Sequence, residues 1–425
     1  MKSRHFGAIA MIGLLVAACS SGGSGASSSA RVSIEFLSVQ RADQGWPLVL
    51  SQITSSFAKT HPGSTFKVDY VATPSELNQK IQLLGAQKAL PVLYNTPPPD
   101  LLSPLARNGQ LLDLEPALKQ LGVYSQVDPV AVNIDKKLNG GKLYGLPFEL
   151  NIEGFWYNKK IFADNGLQPP RTWDDLVQDA ATLQQKGIQP FSASGTQGWP
   201  ITRLISGYLF RELGPAAMDN IKNGKAKLTD PDYLKAAQAV ADLGKKGYFG
   251  NGVATLDYDP AVDVFLQGKA AMFYMGSWEL RDFNDPARNK IGQDDIGFFP
   301  FPTVTGGKGT ADQTPMNAGQ MTSVSKARYS PAVGQWLAAV ARSYGGIALT
   351  KEGAITGFKV NSQTGSLPAL TTMVRGQISQ TSQPVTWFEA LFSTKATNVS
   401  QQDAALLVTG AMSPDDFMQA VQQAQ

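Results

Sequence analysis

Arg31-Val32-Ser33-Ile34-Glu35-Phe36-Leu37-Ser38-Val39 alternates apolar and polar residues, the period of a strand with one face buried. A polar and aromatic loop, Gln40 to Trp46, follows, and Pro47 opens an amphipathic helix carrying Leu48, Val49, Ile53 and Phe57 on one side. His61-Pro62-Gly63 stops that helix. Phe66, Val68 and Tyr70 then alternate as a second strand, and Ser75 to Lys88 is helical, with Leu77, Ile81 and Leu84 spaced along one face. Leu90 to Tyr94 is a short apolar run that reads as a buried strand. Strand, helix, strand, helix, strand is the rhythm of a parallel α/β sheet, whose ligands bind at the loops beyond the strand ends.

The rhythm resumes after Gly145-Leu146-Pro147. Ile152 to Tyr157, Ala270 to Met275 and Ile296 to Phe301 read as strands. Thr172-Trp173-Asp174-Asp175 has the capping-box pattern of a helix start, with Leu176, Val177, Ala180 and Leu183 on its inner face. Asp230-Pro231, Asp259-Pro260 and Ser413-Pro414 each put a capping side chain before a proline suited to the first helical position. Ser330 to Tyr344 reads as a helix, and the remainder to Gln425 as mostly helical. The roughly 395 residues from Arg31 onward exceed one typical core and favour two lobes.

Ahead of this body, Lys2, Arg4 and His5 precede an apolar run from Phe6 to Val16, too short to span a bilayer and of the length expected of a secretory signal. Leu15-Val16-Ala17-Ala18-Cys19, followed by Ser and Gly, resembles the lipobox of a bacterial lipoprotein, in which the cysteine is lipidated and becomes the new N-terminus. Residues 1–18 are then a signal peptide, and residues 19–30, rich in Ser and Gly, a lipid-anchored flexible tether. The alternative is an ordinary secretory signal in which Cys19, the only cysteine, is incidental.

Charge and composition narrow the function. With 37 basic and 34 acidic residues and no basic run, nothing supplies the phosphate-neutralising surface that nucleic-acid binding needs. Beyond the signal the only imidazole is His61, so a Cys/His zinc site cannot be assembled; no EF-hand run and no phosphate loop is present. No metal or cofactor is expected.

Gly141-Lys142-Leu143-Tyr144-Gly145-Leu146-Pro147, Phe155-Trp156-Tyr157-Asn158-Lys159 and Pro169-Pro170-Arg171-Thr172-Trp173-Asp174-Asp175-Leu176 resemble, in this order, the extracellular solute-binding proteins of sugar importers. Phe265-Leu266-Gln267-Gly268-Lys269-Ala270-Ala271-Met272, Gly276-Ser277-Trp278-Glu279, Ile296-Gly297-Phe298-Phe299-Pro300-Phe301-Pro302 and Gly306-Gly307-Lys308-Gly309 continue the series. Together they are similar to family 1, the maltose-binding-protein-like group. The resemblance implies a periplasmic-binding-protein-like α/β fold, two lobes joined by a hinge with a ligand cleft between them. It places residues 31–145 and 300–350 in the N-terminal lobe and 146–299 and 351–425 in the C-terminal lobe, with crossings at Leu143 to Pro147, Ile296 to Pro302 and near Ala348 to Gly357. It also implies a non-enzymatic, monomeric receptor outside the cytoplasm, anchored through Cys19. Such a receptor captures a disaccharide or oligosaccharide and hands it to the permease subunits of an ABC transporter.

A sugar offers apolar C–H faces and a ring of hydroxyls, so its receptor needs flat aromatic surfaces beside groups that donate and accept hydrogen bonds. Trp156, Trp173, Trp336 and Trp387 lie in apolar segments or beside helix starts and read as packing residues. Trp46, Trp199 and Trp278 sit beside Gly and polar residues and are the ligand candidates, Trp278 foremost because it follows an apolar strand and the resemblance puts a stacking aromatic there. Glu149 and Asn151 share one face just past the first crossing, where Glu149 either accepts sugar hydroxyls or braces the hinge through a cation. Gly319 and Gln320, in Asn317-Ala318-Gly319-Gln320-Met321, offer an open backbone and an amide, and Asn95 ends the third strand. Asp259 reads first as a helix cap and second as a ligand contact.

Other readings compete. A secreted glycoside hydrolase would need a carboxyl pair at a defined separation, drawn from Glu149, Glu153, Asp257, Asp259 and Glu279, and nothing in the sequence pairs them. Ser323-Val324-Ser325-Lys326 has the Ser-x-x-Lys spacing of serine acylases without the two motifs that should follow it. A binding protein for a non-sugar solute, or a lipid-anchored adhesin, also remains open.

Overall fold

The computed structural model describes residues 30–362, 365–381 and 383–425. The expected signal segment, Cys19 and nearly all of the tether lie outside the described residues. In chain order the strands are β1 (Ser33–Ser38), β2 (Thr65–Tyr70), β3 (Leu93–Asn95), β4 (Gly145–Leu146), β5 (Asn151–Asn158), β6 (Gln189–Ser192), β7 (Ala270–Gly276), β8 (Ile296–Phe299), β9 (Gln313–Asn317), β10 (Thr322–Val324) and β11 (Gln383–Val385). They form two sheets, one per lobe.

The first sheet has the order β2-β1-β3-β10-β4. β1 runs parallel to β2 and β3, as the strand-helix rhythm requires, and β10 pairs antiparallel with both β3 and β4. Val32, Ile34 and Phe36 point into the core, which explains the alternation at the start of that stretch, and Leu37 and Ser38 are buried as well because the strand's end is covered on both faces. The helix Gly45–Phe57 lays Val49, Leu50 and Ile53 into the same core as Trp336 and Leu337 of a later helix, Pro331–Glu352. Trp336 donates its indole N–H to the Thr54 hydroxyl at 2.9 Å, so the buried ring leaves no polar group unpaired. That long helix starts where Ser330 accepts from the Val333 N–H, and it runs eight residues past the expected end at Tyr344.

The second sheet has the order β11-β9-β5-β7-β6, with β8 also on β5. β5 is its axis: antiparallel to β7 on one side and, on the other, to β9 through Asn151–Ile152 and to β8 through Phe155–Asn158. This sheet is mixed, since β6 with β7 and β11 with β9 run parallel. The expected capping box forms, with Thr172 and Asp175 exchanging side-chain and backbone bonds at the start of Trp173–Gln185. The helix expected to start at Asp259-Pro260 instead begins at Tyr258, and its cap is Asp257, whose carboxylate accepts from the Tyr258 N–H at 2.8 Å.

The first two crossings are shifted from where the sequence phrases put them. Gly145 and Leu146 pair with Ser323 and Thr322 in the first sheet, so the first crossing is residues 147–150. The expected second crossing at Ile296 to Pro302 stays inside the second lobe, because Phe298 and Phe299 pair with β5 and the Phe301 ring packs on Trp173 and Phe155, with centroids 5.6 and 5.7 Å away. Residues 300–317 therefore belong with the second sheet, and the chain crosses at 318–321. A third crossing follows the end of the long helix at Glu352. Phe358 beyond it still packs in the first core, whereas Leu370 and Val374 of the helix Ala369–Gln380 pack with Ile152 and Trp156. The first crossing is tied to the segment that follows the long helix: Leu150 N–H donates to Ile355 O at 2.9 Å and Gly357 N–H to Pro147 O at 3.0 Å. A side chain on Gly357 would put its Cβ 2.6 Å from the Pro147 ring, so the two strands of the hinge touch only because that position is glycine.

Candidate ligand-binding cleft

Between the lobes, beside these crossings, lies a cavity of about 680 Å³, within the range of small-molecule sites. Its first-lobe wall includes Pro98 and Pro99, its second-lobe wall Trp199, Trp278 and Trp387, and its floor Glu149, Gly319 and Gln320 from the crossings.

The aromatic wall is built by a strand end and a helix start. Trp278 follows β7 in a short turn of helix, and Trp199 is the first residue of the helix Trp199–Leu213. Their rings meet edge to face at 5.8 Å, and Tyr258 packs on Trp199 at 5.5 Å. One helical turn beyond Trp199, Arg203 lies between two indoles, its guanidinium 5.5 Å from Trp199 and 4.9 Å from Trp387. Arg203 pairs with Glu153, 1% exposed, at 3.2 Å, and Glu153 also accepts from Asn317 Nδ2 at 2.9 Å. The charge of the cation is therefore balanced beneath the wall.

The floor is a polar network. Glu149 accepts from Trp46 Nε1 at 2.8 Å on one oxygen and from Asn151 Nδ2 at 3.0 Å on the other. Asn151 also reaches Asn317 Oδ1 at 3.3 Å, and Asn317 Oδ1 accepts from Gly319 N–H at 2.9 Å. Burial pushes the Glu149 carboxyl above the usual range, and the bonds from Asn151 and Trp46 pull it back. Glu389, 7% exposed, is also raised by burial, opposed by the positive charge of Arg203 and by its bond with the Thr202 hydroxyl. Gly319 has φ +63°, and a Cβ there would fall 2.6 Å from Glu149 Oε2, so only glycine lets the crossing lie against that carboxylate.

The profile of bacterial extracellular solute-binding proteins matches residues 39–348, most of the chain. The chain belongs to this family. Among relatives, it is 26% identical over 263 residues to an uncharacterised ABC transporter extracellular-binding protein of Pyrococcus horikoshii, a match covering 60% of this chain and 57% of that one. It is 25% identical over 334 residues to a multiple sugar-binding protein of Streptococcus mutans, covering 74% and 72% of the two chains. A solved structure of a chitin oligosaccharide binding protein superposes with a TM-score of 0.78 at 26% identity, over 92% of this chain and 98% of that one.

In this solute-binding protein the cleft brings together Trp278, Trp199, Glu149, Gly319 and Gln320, all expected from the sequence. Trp46 and Asn151 are 7% and 3% exposed and act on the cleft through Glu149. Asn95 does not join them. It is fully buried, its Oδ1 accepting from the Val39 N–H at 3.0 Å and its Nδ2 directed to the Thr322 hydroxyl, so it ties β1 to β10. Asp259 is neither cap nor cleft residue; it sits exposed in a first helical turn, 3.3 Å from Arg288. Trp156, Trp173 and Trp336 are packing residues as expected, but Trp387 opens onto the cleft. Sequence reasoning also missed Arg203 and Glu389. The spacing of Arg203 from Trp199 was the available signal for the first, since residues four apart share a helix face.

Proposed function

We propose that this chain captures a carbohydrate, a disaccharide or longer, in the cleft between its lobes and delivers it to the permease of an ABC transporter by closing about the three crossings. The observation that carries the reading is the aromatic wall of Trp199, Trp278 and Trp387 facing a floor of amides and the Glu149 carboxylate, with Glu389 beside the wall, across some 680 Å³. Flat indoles suit the C–H faces of sugar rings, while Gln320, Asn317 and Glu149 can meet hydroxyls that both donate and accept. Contacts to both lobes exist only when the lobes are closed, so the ligand shifts the population toward the closed form. The multiple sugar-binding and chitin oligosaccharide binding relatives agree in ligand class.

The test is a thermal-shift screen of chitin and xylan oligosaccharides, raffinose and maltose, with sn-glycerol 3-phosphate as the non-sugar comparison. A ligand at about 100 times its dissociation constant adds roughly 2.7 kcal/mol to stability. A shift with glycerol phosphate and none with any sugar would reject the carbohydrate class. Arg203 argues against that outcome, because Glu153 already balances its charge. Released reducing ends that vanish in Glu149→Gln would instead reveal a hydrolase.

Anchoring through Cys19 belongs to the same proposal. Two ester-linked chains on a processed cysteine meet the two-signal requirement for stable membrane attachment, and the tether holds the receptor near its permease at high effective concentration. Cys19→Ala then releases a monomeric protein that still binds its sugar; loss of binding on release would contradict the separation of anchor and receptor.

A further inference from the structure

From the aromatic wall a short chain of hydrogen bonds runs inward from Trp278 through two side chains, Tyr258 and Glu279, that do not themselves line the cleft. The Trp278 indole N–H donates to the Tyr258 hydroxyl at 2.8 Å, and that hydroxyl donates to Glu279 Oε1. Glu279 is 5% exposed, and its second oxygen is buried with no hydrogen-bond partner among the described residues. Tyr258 also packs on Trp199, so one side chain touches both indoles of the wall. The Trp278 ring is folded closely over Gly276, where a Cβ would lie 1.9 Å from it. Its seat is thus defined by a backbone face, by the Trp199 edge and by one hydrogen bond to Tyr258.

We infer that Tyr258 and Glu279 are a positioning pair that sets the Trp278 indole in the cleft wall, so that the wall responds to the protonation of Glu279. This rests on the carbohydrate reading of the cleft. When Glu279 is ionised, the bonds run in one direction, from indole to hydroxyl to carboxylate, and each polarises the next. A protonated Glu279 can instead donate to the Tyr258 oxygen. The hydroxyl proton must then turn to Met275 Sδ, 3.5 Å away and a weak acceptor, and the phenol oxygen that receives the indole is no longer polarised by a carboxylate. The indole is held more loosely in that state. Burial brings the Glu279 carboxyl up to about 7, so the change falls near neutral pH. Around it, Asp282 raises that value and Arg288 and Arg281 lower it; Arg288 is itself engaged by Asp259, Asp263 and Asp282. On β5, Glu153 is committed to Arg203 and Asn317.

The deciding experiment needs no ligand. In protein labelled with 15N-tryptophan, the Trp278 indole resonance, assigned by its loss in Trp278→Phe, is followed from about pH 5.5 to 8.5, the range in which a carboxyl so raised would titrate. It should titrate with a midpoint near 7 in the wild type and stop titrating in Glu279→Gln and Tyr258→Phe. The Trp336 resonance, bonded to Thr54 in the other lobe, should stay still and report an intact fold. A flat Trp278 resonance, or one that still titrates in Glu279→Gln, overturns the inference. Affinity for triacetylchitotriose and xylotriose should fall about fivefold from pH 8 to 6 in the wild type and by less in Glu279→Gln. An equal fall in both proteins also overturns it. If neither sugar binds, the carbohydrate reading fails, and the indole titration still decides whether the pair positions Trp278.

Discussion

Trp46, in the first helix of the first lobe, donates its indole N–H to Glu149 in the first crossing at 2.8 Å. The bond spans 103 positions of sequence and places a carboxylate at the cleft floor with one oxygen already engaged. Trp46→Phe keeps most of the buried ring and removes the donor, leaving Glu149 with Asn151 alone. A bond to a charged group is worth about 1.5–3 kcal/mol, so the urea midpoint should fall by a corresponding amount at unchanged slope. An unchanged midpoint would mean that water replaces the indole at no cost.

Arg203 tests the wall. Arg203→Ala leaves Glu153, 1% exposed, with only Asn317, and breaking a buried pair from one side costs about 3–5 kcal/mol. Arg203→Lys keeps the charge without the flat guanidinium between Trp199 and Trp387, so it should recover much of the stability and little of the sugar affinity. Full recovery of both by lysine, measured by denaturation and calorimetric titration, would show that charge alone matters.

Much of this site was legible in the sequence, and the gaps have physical causes. Trp199 and Trp278 stood out because each lies within two residues of a glycine, beside polar residues, at an element boundary. Trp387 did not, since Val385-Thr386-Trp387-Phe388 reads as a buried run, yet β11 ends at Val385 and the indole emerges beyond it. Strand β9 was missed because Pro315 argues against a strand, whereas here its neighbours pair with β5 and β11. The second crossing was displaced for a related reason: whether a strand joins the first or second sheet depends on partners more than a hundred residues away, as Asn151 pairs with Asn317. Local periodicity carries the element and not its partner. Asn95 shows the converse, a polar residue at a strand end whose amide is consumed by its own sheet.

Gly319→Ala should cost affinity more than stability. The backbone there has φ +63°, which a non-glycine residue adopts at a cost of about 1–2 kcal/mol. The added methyl would also lie 2.6 Å from Glu149 Oε2 and push that carboxylate off the cleft floor. The expected result is a melting temperature lowered by a few degrees and sugar affinity reduced by about tenfold or more. Retained affinity would show that Glu149 does not contact the ligand.

The hinge carries a pH dependence of its own. Asp135, 1% exposed, accepts from the Tyr144 and Gly145 N–H groups at 2.7 and 3.2 Å and from Asn139 at 2.7 Å, bracing the chain just before the first crossing. Burial brings its carboxyl up to about 7, with those three bonds opposing. Unfolded, it would titrate near about 3.9. Between these values the folded state holds the proton and the unfolded state has lost it. Stability from this group is therefore full below the unfolded value and is lost as pH rises through the folded one. Asp135→Asn keeps an acceptor for the two backbone donors and cannot ionise. Its melting temperature should fall less than that of the wild type between pH 5 and 8, by a difference on the order of 2–4 kcal/mol in unfolding free energy. Parallel profiles for the two proteins would mean that Asp135 is ionised throughout this range, with its charge held by the Tyr144, Gly145 and Asn139 donors.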